Sequence, residues 1–391
     1  MGNMRLIIKN VTVYLEETEL KSGSIVVEGS TIQSIIEGDA VVTDNDEVID
    51  GKGLLAIPGF IDGHIHGAGG SDVMDGTVEA LDTMAAVLPI EGTTSFMATT
   101  ITQSPQSIER ALANAAHYQN KPGYAEMLGV HLEGPFINHK KAGAQPVEYI
   151  TSPDLSTFDK WQEISGNRIK TITMAPEKDP DGLFISELAN RGINVSAGHT
   201  EAGFNQIKIA AEQGLRQLTH LCNAMTGIHH RDIGAVGASF ELDSLRSELI
   251  ADGIHVSPEM VKLIFSNIGS ERLILITDAM RAKGLPSGNY DLGGQEVRVE
   301  GMKAVLKDGT LAGSVLKMSE AVKNMMKFSS SSIRDIVKMA SFNPAKQLNV
   351  YDRKGSLEEG KDADILLVNE SADIFYTICK GKVAYRKEEN A

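Results

Sequence analysis

Apolar and polar positions fall into two textures along the chain. Residues 5–13, 23–28, 31–36 and 47–50 are short apolar or β-branched runs separated by turn residues, which predicts four strands before residue 51. The far end has the same character, with strand-like runs at 363–368 and 374–379 and a third at 383–385 after the Gly381 turn. Two β-rich ends around a long middle predict one small β-sandwich domain built from both termini, residues 1–56 together with 349–391.

The middle, residues 57–348, has another rhythm. Short apolar runs at 55–62, 94–98, 127–132, 171–174, 194–197, 217–221, 248–252 and 272–277 alternate with amphipathic stretches such as 78–87, 108–120, 183–191 and 205–212. Repeated strand–helix units predict an α/β fold with a parallel sheet. Eight of them match a (β/α)8 TIM barrel better than an open doubly wound sheet, which has no need of chemistry at so many strand tips.

That chemistry is easily located. The first strand runs into His64-Ile65-His66, the third reaches His131-Leu132-Glu133, and the fifth ends at Gly198-His199-Thr200. The sixth passes through His220 to Asn223, the seventh ends at Asp252 to His255, and the eighth at Thr277-Asp278-Ala279. In a barrel all these tips share one rim, where such enzymes hold their active sites. His64 and His66 are two apart on a strand and share a face, so both imidazoles reach one ion. Taken singly, Glu133, His199, His220 and Asp278 are ordinary buried histidines or solvated carboxylates; their recurrence at strand ends makes them candidate metal ligands. Imidazole and carboxylate ligands with an open position suit Zn2+ or Fe2+ over hard cations that want oxygen only, and Glu133 is placed to bridge two ions. His131 reads as a core or supporting residue behind Glu133, and His117 as a solvated residue on a helix. The His229-His230-Arg231 loop reads equally as a solvated turn or an anion contact.

Composition limits the partners. With 37 basic against 52 acidic residues the formal charge is −15, which repels nucleic acid and anionic membrane surfaces. Any anionic ligand then needs a local cluster of donors working against that field. The 391 residues, 42% hydrophobic, suffice for a large core, and no apolar run reaches the length of a membrane span. Met1-Gly2-Asn3-Met4 leads straight into Leu6-Ile7-Ile8 without the apolar core of a signal peptide, and Leu6 stands where a myristoylation motif wants Ser or Thr. Cys222 and Cys379 are the only cysteines, which fits a reducing cytoplasm; Cys222 reads as an inert buried thiol on a strand.

The segment from Pro58 to His66, Glu133-Gly134-Pro135-Phe136, His199-Thr200 and Thr277-Asp278-Ala279-Met280 together resemble the amidohydrolase superfamily. Gly67-Ala68-Gly69-Gly70, Thr219 to Met225 and the late run Ala340 to Ala345 are similar to its branch of deacetylases acting on N-acetylglucosamine 6-phosphate, over nearly the whole chain. The resemblance implies that Glu133, His199 and His220 hold the tighter cation, that His64 and His66 hold a second, and that Asp278 is both a ligand and the catalytic acid/base. It implies substrate contacts at Ala144, Gln145, Asn223, Ala224, Arg231, His255, Leu311, Ala312 and Gly313. The implied cofactor is one or two divalent cations per subunit, Zn2+ or Fe2+ with Mn2+ or Co2+ as further candidates, and the implied assembly is a homodimer. Relatives that bridge their metals with a carbamylated lysine carry it at the fourth strand; here that strand ends Met174-Ala175-Pro176-Glu177, which argues against the dihydroorotase-like and urease-like branches. Gly143-Ala144-Gln145 lacks a histidine that some relatives place there. The alternatives are a deacetylase for another N-acetylhexosamine phosphate, a cyclic-amide hydrolase or deaminase, and a non-catalytic scaffold.

Overall fold

The computed structural model of the protein describes residues 5–388; the Met1–Met4 segment and residues 389–391 lie outside the described residues, and with them the reading of the N-terminus. Eight parallel strands line up in chain order: Phe60–Ile65, Thr93–Thr100, Glu126–Glu133, Ile169–Met174, Asn194–Ala197, Gln217–Leu218, Arg246–Ile250 and Leu273–Ile276. The first and eighth close the cylinder at the rim. The Asp278 N–H donates to the His64 carbonyl and the His66 N–H to the Ala279 carbonyl, each at 2.9 Å. Thr93–Thr100 is buried at every position, as a parallel strand covered on both faces should be.

Helices ring the outside, and the amphipathic ones bury one stripe. In Pro105–His117 the buried positions are Ile108, Ala111, Leu112 and Ala115, spaced at helical intervals; Ser104 caps the Ser107 N–H and Pro105 occupies the first turn. His117, at that helix's end, is exposed. Among the described residues no helix is long and apolar enough to cross a membrane.

The termini form one eight-stranded sheet, in which Leu55–Pro58 bridges Arg5–Tyr14 and Ile365–Val368. The expected sandwich is this single sheet curled around Leu6, Ile8, Val13, Ile25, Ile365 and Leu367. Its edge strand Thr31–Glu37 curls back on the segment that leads into Ile365–Val368, where the Ile32 N–H donates to the Lys361 carbonyl at 2.9 Å.

Two elements differ from the pattern reading. The apolar run 55–62 is two strands, not one, and divides at Gly59. There the Gly59 N–H donates to Asp364 in the terminal sheet while the Phe60 N–H donates to Gly92 in the barrel, at 2.9 and 3.0 Å. A Cβ on Gly59 would lie 2.1 Å from the Thr94 hydroxyl, so only glycine lets the chain cross so tightly. The second difference is an unanticipated three-stranded insertion after the eighth barrel strand: Gly288–Leu292, Gln295–Glu300 and Lys303–Val305. Its signal was present, since Val297 and Val299 alternate with charged residues beyond a Gly293-Gly294 turn with φ of 60° and 80°.

Candidate active site

Six side chains from five strand tips converge at the rim. Glu133 is central: its Oε1 lies 3.4 Å from His64 Nε2, 3.3 Å from His199 Nε2 and 3.2 Å from His220 Nε2, and its Oε2 lies 3.3 Å from His66 Nε2. Asp278 Oδ1 is 3.5 Å from His64 Nε2 and 3.2 Å from His66 Nε2. Two ligand triads result, His64–His66–Glu133 and Glu133–His199–His220, with Glu133 common to both. The structure thus brings together all six residues singled out as metal ligands.

Local backbone strain aims three of them. His199, His220 and Asp278 have φ of 52°, 32° and 48°, the left-handed region that residues with a Cβ enter at a cost of about 1–3 kcal/mol. Each is pinned by a main-chain bond: Asn138 N–H to the His199 carbonyl at 2.9 Å, Asn223 N–H to His220 at 2.9 Å, and Ser314 N–H to Asp278 at 2.7 Å. The turn at His220 also corrects the reading of the sixth strand. It stops at Leu218 instead of continuing to 221, so Cys222 lies in a turn, half-buried, with its thiol pushed up to about 12 by desolvation.

Hydrogen bonds at the far ring nitrogens settle the tautomers. His64 Nδ1 is 3.0 Å from Glu248 Oε2, His66 Nδ1 is 3.2 Å from the Thr99 carbonyl, and His199 Nδ1 is 2.7 Å from the Lys141 carbonyl. These partners only accept, so each Nδ1 carries a proton and Nε2 is the nitrogen left to face Glu133 or, for His64 and His66, Asp278 as well. An unprotonated Nε2 facing carboxylate oxygens in a buried site is repelled unless positive charge, a proton or a cation, lies between them. His64 Nε2 is buried with no hydrogen-bond partner, as a ligand atom would be. A nitrogen-and-oxygen donor set of this kind fits a divalent cation of the zinc or iron type.

The titration of the site carries the same demand. Burial lowers the His66 pKa, but contacts with Asp278 and Glu133 more than reverse this, up to about 10; His64 is likewise raised, with Asp278, Glu133 and Glu248 overcoming its burial. Burial raises Glu133 and Asp278, and the facing imidazoles drive both well below the carboxylate range. His131 packs edge-on behind His64, ring centroids 4.5 Å apart, and bonds Thr173 Oγ1 at 2.7 Å. Burial and His64 push its pKa well down and keep it neutral.

Above the cluster opens a cavity of about 320 Å³, lined by His66, Glu133, His199, His220 and Asp278 and by Ala144, Gln145, Asn223, Ala224, His255, Leu311 and Gly313. Gln145 is partly committed to the cluster: its Nε2 donates to Glu133 Oε2 at 2.7 Å. His255 Nδ1 is 2.6 Å from Asp252 Oδ2, which raises its pKa against burial and favours an imidazolium. Two expected contacts stand off the wall. Ala312 is buried in the core of the inserted sheet, and Arg231 is exposed, with Nη1 2.8 Å from His230 Nε2. Lys140 and Lys141, on the cavity wall, were missed; two adjacent lysines in so acidic a chain were the available signal.

A closed parallel barrel with a hydrolytic-type ligand cluster at its rim defines a class, and the chain belongs to the Amidohydrolase family, whose model matches residues 55–385. Within it, the chain is 44% identical over 388 residues to the N-acetylglucosamine-6-phosphate deacetylase of Bacillus subtilis (strain 168), covering 98% of both chains. It is 36% identical to the N-acetylgalactosamine-6-phosphate deacetylase of Escherichia coli O157:H7, over 84% of this chain and 88% of that one. Among solved structures it superposes on N-acetylglucosamine-6-phosphate deacetylase from Pasteurella multocida with a TM-score of 0.91 at 30% identity, covering 97% of this chain and 99% of the other.

Proposed function

We propose that the protein is a metal-dependent deacetylase that hydrolyses N-acetyl-D-glucosamine 6-phosphate to D-glucosamine 6-phosphate and acetate, in amino-sugar catabolism or recycling. The observation that carries this reading is Glu133, shared by two ligand triads on the floor of a cavity that fits a hexosamine phosphate in size. The N-acetylglucosamine-6-phosphate relative that spans 98% of the chain supports the substrate assignment.

Glu133, His199 and His220 would hold one divalent cation, and His64 and His66, with Glu133 and Asp278, a second. Zn2+ or Fe2+ suits the donor set, with Mn2+ or Co2+ as further candidates, at one or two per subunit. When bound, the cation supplies a Lewis acid for the acyl oxygen and lowers the pKa of water. Asp278, ionised because its pKa is depressed, takes the proton from the attacking water and returns it to the departing amine nitrogen, which leaves poorly as an anion. Lys140, Lys141 and the His255 imidazolium supply positive charge for the phosphate against the net −15. Asn223, Ala224, Leu311 and Gly313 wall the sugar. Arg231, outside the wall of its own subunit's cavity, suits a homodimer in which it completes the neighbouring pocket. The sparse cysteines suit the cytoplasm.

The test is acetate release from the 6-phosphates of N-acetylglucosamine and N-acetylgalactosamine, with and without chelator, beside elemental analysis of the protein. The expected result is one acetate per sugar, faster for the gluco epimer, abolished by chelation and restored by cation. Ammonia without acetate would replace deacetylation by deamination, and a faster galacto epimer would reassign the substrate.

A further inference from the structure

Below His64 a single file of polar groups, buried as far as Gln347 and ending on the half-buried Arg246, descends through the barrel. Glu248, on the seventh strand and 2% exposed, receives His64 Nδ1–H on Oε2 at 3.0 Å and the His220 main-chain N–H on the same atom at 3.2 Å. Its Oε1 receives Gln217 Nε2 at 2.6 Å. Gln217 Oε1 in turn accepts from Asn194 Nδ2 at 3.0 Å, Asn194 Oδ1 accepts from Gln347 Nε2, and Gln347 Oε1 accepts from Arg246 Nη1 at 2.7 Å.

The direction of this file is not free. A guanidinium only donates, so Gln347 must present its oxygen to Arg246; each amide above it must then donate upward, and the carboxylate at the top only accepts. With Oε1 held by Gln217, Oε2 remains for His64, and the imidazole keeps its proton on Nδ1 and its lone pair at the rim. Outer partners of this kind typically shift cation affinity by about 10- to 100-fold when removed.

We propose that Glu248, oriented by the Arg246–Gln347–Asn194–Gln217 file, is a positioning residue that sets the tautomer and aim of His64 for cation binding. The assignment rests on the metal-dependent reading of the rim. It also accounts for a third buried triad, His64–His131–Glu248, as one histidine held by a carboxylate and backed by a second ring, with no ion of its own.

The test is cation affinity by chelator competition, with the visible absorption of the Co2+-loaded protein and a thermal unfolding curve for each variant. In E248Q the amide must still offer oxygen to Gln217, so its NH2 faces His64 Nδ1–H, donor against donor. E248Q is expected to weaken by about 10- to 100-fold the same cation that H64Q weakens, and to shift its absorption band. Q217M, which frees the carboxylate without removing it, is expected to weaken that cation several-fold in a folded protein. Parent-like affinity and band in folded E248Q overturn the assignment, and parent-like affinity in Q217M does so if E248Q does not fold. A parent protein that takes up no cation would overturn the metal-dependent reading itself, and the Glu248 assignment with it.

Discussion

Two of the clusters of charge that the chain buries are built on opposite plans. Where the barrel meets the terminal sheet, Lys354 Nζ lies 2.9 Å from both Glu126 Oε2 and Asp362 Oδ2 and also bonds Asp364, while Arg353 pairs with Glu126 at 3.0 Å and Asp362 at 2.7 Å. Every buried carboxylate there faces a cation of the chain's own. At the rim, every ion-pair partner that the structure gives Glu133 and Asp278 is an imidazole. Burial of an ionised carboxylate costs several kcal/mol unless it is matched, so a cluster matched internally is a staple and a cluster left short of positive charge is a site for something to bind. The seam ties the barrel to the terminal sheet; the rim gathers candidate ligands for a cation.

The comparison breaks most severely at Asp278. D278N keeps the shape and removes the proton acceptor, so turnover should fall by about three decades or more. Cation content, read by elemental analysis, should stay near that of the parent protein. Near-parent turnover would take Asp278 out of the chemistry.

At the seam, K354M removes one cation from the middle of three carboxylates. A buried pair broken from one side costs about 3–5 kcal/mol, read as a lower urea midpoint. Turnover of the protein that remains folded at 25 °C should be unchanged, which is the contrast with D278N. An unchanged midpoint would mean that the seam is not a staple.

The smallest effect is in acid. Burial raises Glu126, but Lys354 and Arg353 more than offset it and hold it at about 2 against an ordinary 4.5. A carboxylate with a depressed folded-state pKa stabilises fully above its unfolded value and loses that contribution as pH falls toward the folded one, here between about 4.5 and 2, with an upper bound of about 3 kcal/mol. E126Q should therefore be less stable near neutrality and show a shallower fall in melting temperature from pH 5 to 3. Parallel curves for parent and variant would assign the acid sensitivity to other groups.

Much of this was legible before any coordinates. The eight barrel strands stand out because a strand buried on both faces is a short apolar run, and the runs recur at regular spacing. The ligand candidates were legible because His, Glu and Asp at the ends of such runs conflict with burial and so advertise a purpose. What was hidden has physical reasons too. The division at Gly59 depends on which sheet each amide faces, and the end of the sixth strand on a left-handed His220; neither leaves a mark on hydrophobic period. The inserted sheet did leave one, in its alternation around Gly293-Gly294, and went unread.

Sequence by itself determined the (β/α)8 order, the two-ended sheet and the six ligand candidates, because hydrophobic period and residue chemistry are local properties. Only the tertiary structure decided which acids are paired as staples and which gather as candidate ligands. Glu126 and Glu133 open and close the same strand, Glu126–Glu133, yet one meets Lys354 and Arg353 and the other four imidazoles. A carboxylate's role is set by the charges that the fold brings within a few ångströms of it, and those come from residues far away in sequence.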